Sequence, residues 1–344
     1  MATRALVTGL TLTAVVVAGG AVAVGDYVYR EGTSLTCSIN DDQLRNSPAE
    51  FYTSGVDNGP FPGDTWNRWV GYDLSDYWLT TTPVVDVTIP VGDGVELRGW
   101  WLEADNSTAT VIVTHGYGAS RRDFNTLLPT SMLIREGFNV LLVDQRNSGE
   151  SSCTTGRHTA GQVESDDFAN VASWAVANGF ATPGRLGMFG VSGGGIATSI
   201  LPAKTADVSA FAIESAIFDF ADTATREVEY QGFPGFLWRL ADVASRLRGD
   251  NLQEVPIAKA VEALDGRPMM ILHGTIDQRL AFDEAVKLAG YGAAIGQSVV
   301  LEPFEGADHT EGMLSEPERY QRLLGEFFRE GLTSEARTNA RGLG

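Results

Sequence analysis

The stretch Arg185–Ile200, RLGMFGVSGGGIATSI, decides how the rest of the chain is read. An apolar, strand-like run passes through Gly190-Val191-Ser192-Gly193-Gly194 into a helix-like run, leaving one hydroxyl at a turn built of glycines. A backbone bent that sharply leaves little room for side chains around it and holds the serine out from the chain. Glycine accounts for 39 of 344 residues, so the G-x-S-x-G pattern by itself carries little weight. Its setting between a buried strand and a helix carries more, and that setting calls for partners elsewhere in the sequence.

Working outward, similar apolar runs recur: ATVIVTHGYG, NVLLVDQRN, VSAFAIESAI, RPMMILHGT and SVVLEPFEG. Continuous runs of this kind are buried on both faces, as in a parallel sheet. Ahead of them VVDVTIPV and VELRGWWLEA alternate around a GDG turn, which predicts a half-buried hairpin. Helical patterns lie between most strands: RRDFNTLLPTSMLIREG, interrupted by Pro129, then GQVESDDFANVASWAVANG, GGIATSILPAK and, after the last strand, SEPERYQRLLGEFFREG. Strands alternating with helices imply right-handed crossovers and a sheet covered on both sides. The interval 218–266 is too long for one crossover helix and reads as an inserted helical lid. Its Phe233, Phe236, Leu237 and Trp238 suit lid-to-core packing or, alternatively, an acyl chain.

In an open parallel sheet, functional side chains gather at the carboxyl ends of the strands. A serine hydroxyl becomes a nucleophile when a base takes its proton, and that imidazole needs an acceptor on its other nitrogen. Ser192 therefore calls for a histidine and a carboxylate. His309 follows the last predicted strand and Asp277 the one before it, giving the order Ser, Asp, His. His115 and His273, each before a glycine at a strand end, read as turn supports, and His158 as solvated. Asp283 and Asp308 compete with Asp277. The backbone N–H groups of Tyr117, in HGYG, and of Gly193 are the expected oxyanion donors. Arg121 and Arg122, at the start of a helix, read as solvated or, alternatively, as contacts for an anionic group.

HGYG, DQRNSGES, GVSGGG, HGTIDQR and GADH, in that order, resemble the motifs of the α/β-hydrolase superfamily over roughly residues 84–332. Within it the chain is similar to exported or single-pass membrane-anchored bacterial serine hydrolases of the lipase, esterase and serine-aminopeptidase-like branch. The resemblance implies a mostly parallel sheet of about eight strands with helices on both faces and a short lid. It implies Ser192 as nucleophile, His309 as base, Asp277 as acid, and Tyr117 and Gly193 as oxyanion donors. The expected activity is cleavage of an ester or related acyl bond in a small-molecule substrate, a lipid among the candidates, through an acyl-enzyme. A peptidase of the same fold, or a catalytically silent surface-binding module, are the alternatives. Gly195, a third glycine after the serine, is more than the motif requires. The sequence shows no metal-ligand cluster, phosphate loop or dinucleotide fingerprint, so no cofactor or metal is expected.

Around this domain, 84–332 with its lid at 218–266, lie an N-terminal segment at 1–30, an irregular extension at 31–83 and a flexible tail at 333–344. Ala5–Gly25 is uncharged, and its roughly 21 residues are enough to cross a bilayer as a helix. The weak positive bias before it places the rest of the chain outside the cytoplasm. Small residues at Ala21-Val22-Ala23 make a cleaved signal, and secretion, the alternative. The extension is rich in Asn, Asp, Gly and Pro, with Trp66, Trp69, Tyr72 and Trp78 expected to pin it down. A net charge of −19 repels polyphosphate backbones, which argues against nucleic-acid binding. The two cysteines, Cys37 and Cys153, are too few for a disulfide scaffold, and an oxidising compartment would allow them to pair.

Overall fold

The computed structural model describes residues 19–53 and 66–332. Its centre is one eight-stranded sheet in the order β1-β2-β4-β3-β5-β6-β7-β8. The strands are β1 (Val84–Gly92), β2 (Val95–Leu102), β3 (Thr110–Thr114), β4 (Asn139–Val143), β5 (Leu186–Val191), β6 (Ala210–Glu214), β7 (Met269–Gly274) and β8 (Val299–Phe304). The hairpin β1–β2 and the β2–β4 pair are antiparallel, and every other pairing is parallel. This is the α/β-hydrolase fold. Five of the continuous apolar runs became β3 to β7, where nearly every residue is buried because helices cover both faces, whereas SVVLEPFEG became the edge strand β8, of which only Phe304 is buried.

One face carries α3 (Gln162–Ala177), α4 (Gly193–Ile200), α7 (Ile257–Glu262) and α8 (Phe282–Ala294), whose apolar side chains join a core with Ile112, Met188 and Ile271. The other carries α2 (Phe124–Arg135), α9 (Gly312–Ser315) and α10 (Pro317–Gly331), packed on Val113, Phe189 and Leu272. Contrary to expectation, Pro129 does not interrupt α2. Burial of every residue from Phe124 to Leu133 outweighs the one hydrogen bond that proline removes.

The interval 218–266 holds α5 (Phe220–Tyr230), α6 (Leu237–Leu247) and α7. The last contributes Ile257 and Val261 to the main core, whereas α5 and α6 form a small separate cluster with the first helix, α1, helical from 19 to 33. In that cluster Trp238 packs against Phe220 and Tyr29 is buried, while Phe233 and Phe236 stay exposed at 57% and 63%. Of the apolar segment Ala5–Gly25, residues 5–18 lie outside the described residues, and no described helix is long and apolar enough to cross a membrane. Residues 54–65 and the tail 333–344 also lie outside them.

From α1 the chain crosses the carboxyl edge of the sheet. Thr33 O and Leu35 N bond to the strand-like segment at His158 N and Gly156 O, at 2.9 and 2.8 Å. A disulfide joins Cys37 to Cys153, Cα atoms 5.6 Å apart. Phe51 then plugs into the core, and its carbonyl accepts from Trp78 Nε1 at 2.8 Å.

Candidate active site

Ser192 follows β5 and opens α4 with φ +50°, a strained conformation for a residue with a side chain. The flanking glycines permit it by close approach. A Cβ on Gly190 would fall 2.3 Å from Gly194 O, and one on Gly194 would fall 2.4 Å from His115 O. The extra glycine has its own reason, since a Cβ on Gly195 would lie 2.8 Å from Ile213 Cγ2 and push α4 off β6.

Three of the predicted residues meet. His309 Nε2 lies 2.9 Å from Ser192 Oγ, and His309 Nδ1 lies 2.8 Å from Asp277 Oδ2. The other carboxylate oxygen, Oδ1, accepts the backbone N–H groups of Arg279 and Leu280 at 2.9 and 2.8 Å. Burial opposes the Asp277 charge, but the charge of His309 and hydrogen bonds from His273 and His309 outweigh it, holding the carboxyl far below its usual range. The competing carboxylates do other work. Asp308 ties the two loops together, its Oδ1 accepting from Gln278 N and His309 N at 2.8 and 2.7 Å. Asp283 sits on α8, paired with Arg226 and Lys287.

Tyr117 stands beside Gly193: a Cβ there would fall 2.8 Å from Tyr117 N, so the glycine lets the two backbones approach. The first N–H groups of a helix have no intrahelical partner, which leaves that of Gly193 available. A cavity of about 440 Å³ opens over Ser192 and His309. Its walls are polar: Asn40, Asp42, Gln43 and Asn46 from the extension, Asp123 and Asn125 at the start of α2, and Arg279 beyond Asp277. Sequence reasoning missed this wall. The Asn- and Asp-rich run just after Cys37 was its signal, read there as turn composition.

Two expectations are corrected. Arg121 is not solvated but fully buried, ion-paired with Asp144 and Glu150 and set 4.5 Å over the Trp100 ring, while half-buried Arg122 donates to Asn46 O at 2.9 Å. His158 is buried as well, its Nδ1 accepting from Ala160 N at 3.1 Å and its ring edge-on to Tyr117. His115 does support its turn, with Nδ1 2.8 Å from Gly116 O and Nε2 accepting from Gln145 N at 3.0 Å.

Beneath the serine, Glu214 is fully buried at the end of β6, and its Oε2 accepts from Tyr320 at 2.8 Å. Burial pushes its carboxyl up to about 8, against the Tyr320 bond and with help from the Asp277 charge. Folded, the group keeps its proton where the unfolded chain has lost it, so its contribution to stability is full below pH 4.5 and falls away as pH rises to about 8. Asp123, pushed up to about 7 by burial, acts with the same sign. Unfolding free energies from urea titrations are therefore expected to fall by up to about 1.4 kcal/mol per pH unit for each such group, from pH 5 to about 8 for Glu214 and to about 7 for Asp123. Glu214→Gln, which cannot ionise, should flatten that slope.

Comparison with known proteins bears on the fold and the family. The chain is 29% identical to human Protein ABHD12B over 216 residues, a match spanning 58% of this chain and 56% of that protein's length. Among solved structures, the Pyrococcus furiosus esterase Pf2001 superposes with a TM-score of 0.61 at 23% identity, covering 76% of this chain and 95% of the esterase. A Mycobacterium tuberculosis puromycin-hydrolyzing peptidase also gives a TM-score of 0.61, at 18% identity, over 74% of this chain and 40% of the peptidase. These likenesses show the shared fold. The decisive match is to the model of the prolyl oligopeptidase family, which runs from residue 124 to residue 334; spanning more than half of the chain, it shows that the protein belongs to that family, hydrolases of the α/β fold.

Proposed function

We propose that the protein is a serine hydrolase that cleaves an ester or related acyl bond of a small, polar substrate. The observation that carries this reading is the unbroken chain from Ser192 Oγ through His309 to Asp277, opening on the cavity. In this reading His309 Nε2 takes the hydroxyl proton as Ser192 Oγ attacks the carbonyl carbon, and Asp277 fixes the Nδ1–H tautomer and stabilises the imidazolium. The N–H groups of Tyr117 and Gly193 hold the oxyanion. Collapse of the tetrahedral intermediate passes the proton from His309 to the leaving group, and water, activated the same way, releases the acyl group.

The polar walls favour a short or polar acyl group over a long hydrocarbon, since amides and carboxylates covered by a fatty chain would lose their solvation without gaining partners. In a series of p-nitrophenyl esters, kcat/KM is expected to fall by at least tenfold from butyrate to palmitate. A rise toward palmitate would refute the polar-substrate reading. Peptide cleavage is the second reading, favoured by the family match. It uses the same acyl-enzyme, and turnover of aminoacyl p-nitroanilides at rates near those of esters would select it.

We further propose that the domain 84–332 lies outside the cytoplasm, tethered by the apolar segment Ala5–Gly25 rather than secreted after its cleavage. The Cys37–Cys153 bridge supports an oxidising compartment, and the uncharged segment supports the tether. Full-length protein should stay in the membrane fraction through a carbonate wash, and removal of residues before 26 should release active enzyme. Mature protein beginning near Val24 in the medium would replace the tether with a signal.

A further inference from the structure

Strand β7 delivers a second histidine to the acid. His273 is wholly buried, and its Nδ1 accepts the N–H of Ala216 at 3.2 Å, just past the end of β6. An accepting Nδ1 leaves the ring hydrogen on Nε2. That nitrogen lies 2.7 Å from the Leu280 carbonyl and 3.3 Å from Asp277 Oδ2. Leu280 in turn gives its own N–H to Asp277 Oδ1 at 2.8 Å. The ring of Phe282 meets the imidazole edge-on at 5.8 Å and closes its far side. The imidazole thus brackets the turn that carries the acid, with one nitrogen on the neighbouring strand's exit and the other on the far end of the turn and the carboxylate inside it.

We propose that His273 is a positioning residue: it fixes the 277–280 turn so that Asp277 Oδ2 stays aligned on His309 Nδ1. The inference rests on the reading of Asp277 as the acid. The turn has need of such a bracket. Oδ1 of Asp277 is held by the turn's own N–H groups, which move with it, whereas Oδ2 must meet a ring presented by a different loop. His273 and the Asp308–Gln278 bonds are among the contacts that tie this turn to the rest of the sheet end. His273 acts from the strand side, next to the carboxylate, and does not line the cavity.

Two shorter side chains separate the bracket from simple filling of space. In His273→Gln an amide N–H reaches about as far as Nε2 does. In His273→Asn the side chain reaches only to the place of Nδ1, so it keeps the Ala216 contact and loses the turn. In the full-length protein, His273→Asn is expected to lower kcat about ten- to a hundredfold with KM within about twofold, as a misplaced catalytic group does. The downfield proton resonance of His309 Nδ1–H should weaken or shift with it. His273→Gln should stay within about threefold of the parent. If His273→Asn does not fold, His273→Phe, which fills the ring's volume with neither hydrogen bond, carries the same expectation. Equal kcat in the Asn and Gln variants, or greater loss in Gln, would overturn the bracket. Asp277→Asn distinguishes the two levels: parental turnover there refutes the acid assignment itself, whereas loss there with unimpaired His273→Asn refutes the bracket alone.

Discussion

Ser192→Ala is expected to lower kcat on p-nitrophenyl esters by about five to six orders of magnitude while leaving the melting temperature within a few degrees of the parent. The size follows from what the hydroxyl does in this site. In the proposed mechanism no covalent intermediate forms without it, and His309 faces a methyl group where it now lies 2.9 Å from an oxygen. The fold should not notice. The serine sits at φ +50°, and alanine carries the same strain there because it keeps the Cβ. His309→Ala should cost nearly as much, and the double variant little more than either single one, because the residues act as a unit. Asp277→Asn should be milder, on the order of ten-thousandfold, through loss of the correct tautomer. A fluorophosphonate probe gives the same answer without a substrate, labelling the parent and failing on Ser192→Ala. Undiminished turnover in purified, folded Ser192→Ala would refute the serine mechanism.

Much of this site was legible because its logic is local. Strands buried on both faces must be apolar throughout, so β3 to β7 stand out as runs. Parallel connections then fix which loops share an edge, and Ser192, Asp277 and His309 each end a different strand at that edge. What stayed hidden depends on partners distant in sequence. Arg121 looks solvated until Asp144, Glu150 and the face of Trp100 surround it, groups brought from strand β2 and the loop after β4. His158 looks solvated until Tyr117 covers it. Pro129 looks like a break until the burial around α2 is known. The cavity wall from Asn40 to Asn46 lies some seventy residues or more from every other lining segment beyond Tyr52 in the described chain, and no periodicity marks a loop laid over an active site. His273 was legible as a turn support; that its other nitrogen reaches the acid follows from where β6 ends beside it.

Reduction of the Cys37–Cys153 bridge is expected to loosen that wall and leave the triad standing. The bond spans 116 residues, and the chain-entropy account of closing such a loop gives roughly 5 kcal/mol of stabilisation, with 2–4 kcal/mol typical in practice. The extension has other ties: Asn40 Nδ2 donates to Gly118 O at 2.9 Å, Gln43 Nε2 to Asp123 Oδ2 at 2.9 Å, and Asn46 Nδ2 to Arg122 O at 3.1 Å. Each is a single hydrogen bond, worth about 1 kcal/mol net, so none replaces the staple. Because Ser192, Asp277 and His309 follow strands of the sheet and none belongs to the extension, kcat should change little. KM should rise several-fold as Asn40, Asp42 and Asn46 lose their fixed positions, and the melting temperature should fall by several degrees for the loss of 2–4 kcal/mol. Cys37→Ser with Cys153→Ser should reproduce both effects and be insensitive to reductant. In protein made by its native route, alkylation under denaturing, non-reducing conditions should modify neither cysteine, and prior reduction should expose both. Two free thiols in that material, or a reduced enzyme with parental KM and melting temperature, would mean that the wall is held by its hydrogen bonds alone and would remove the bridge as support for export.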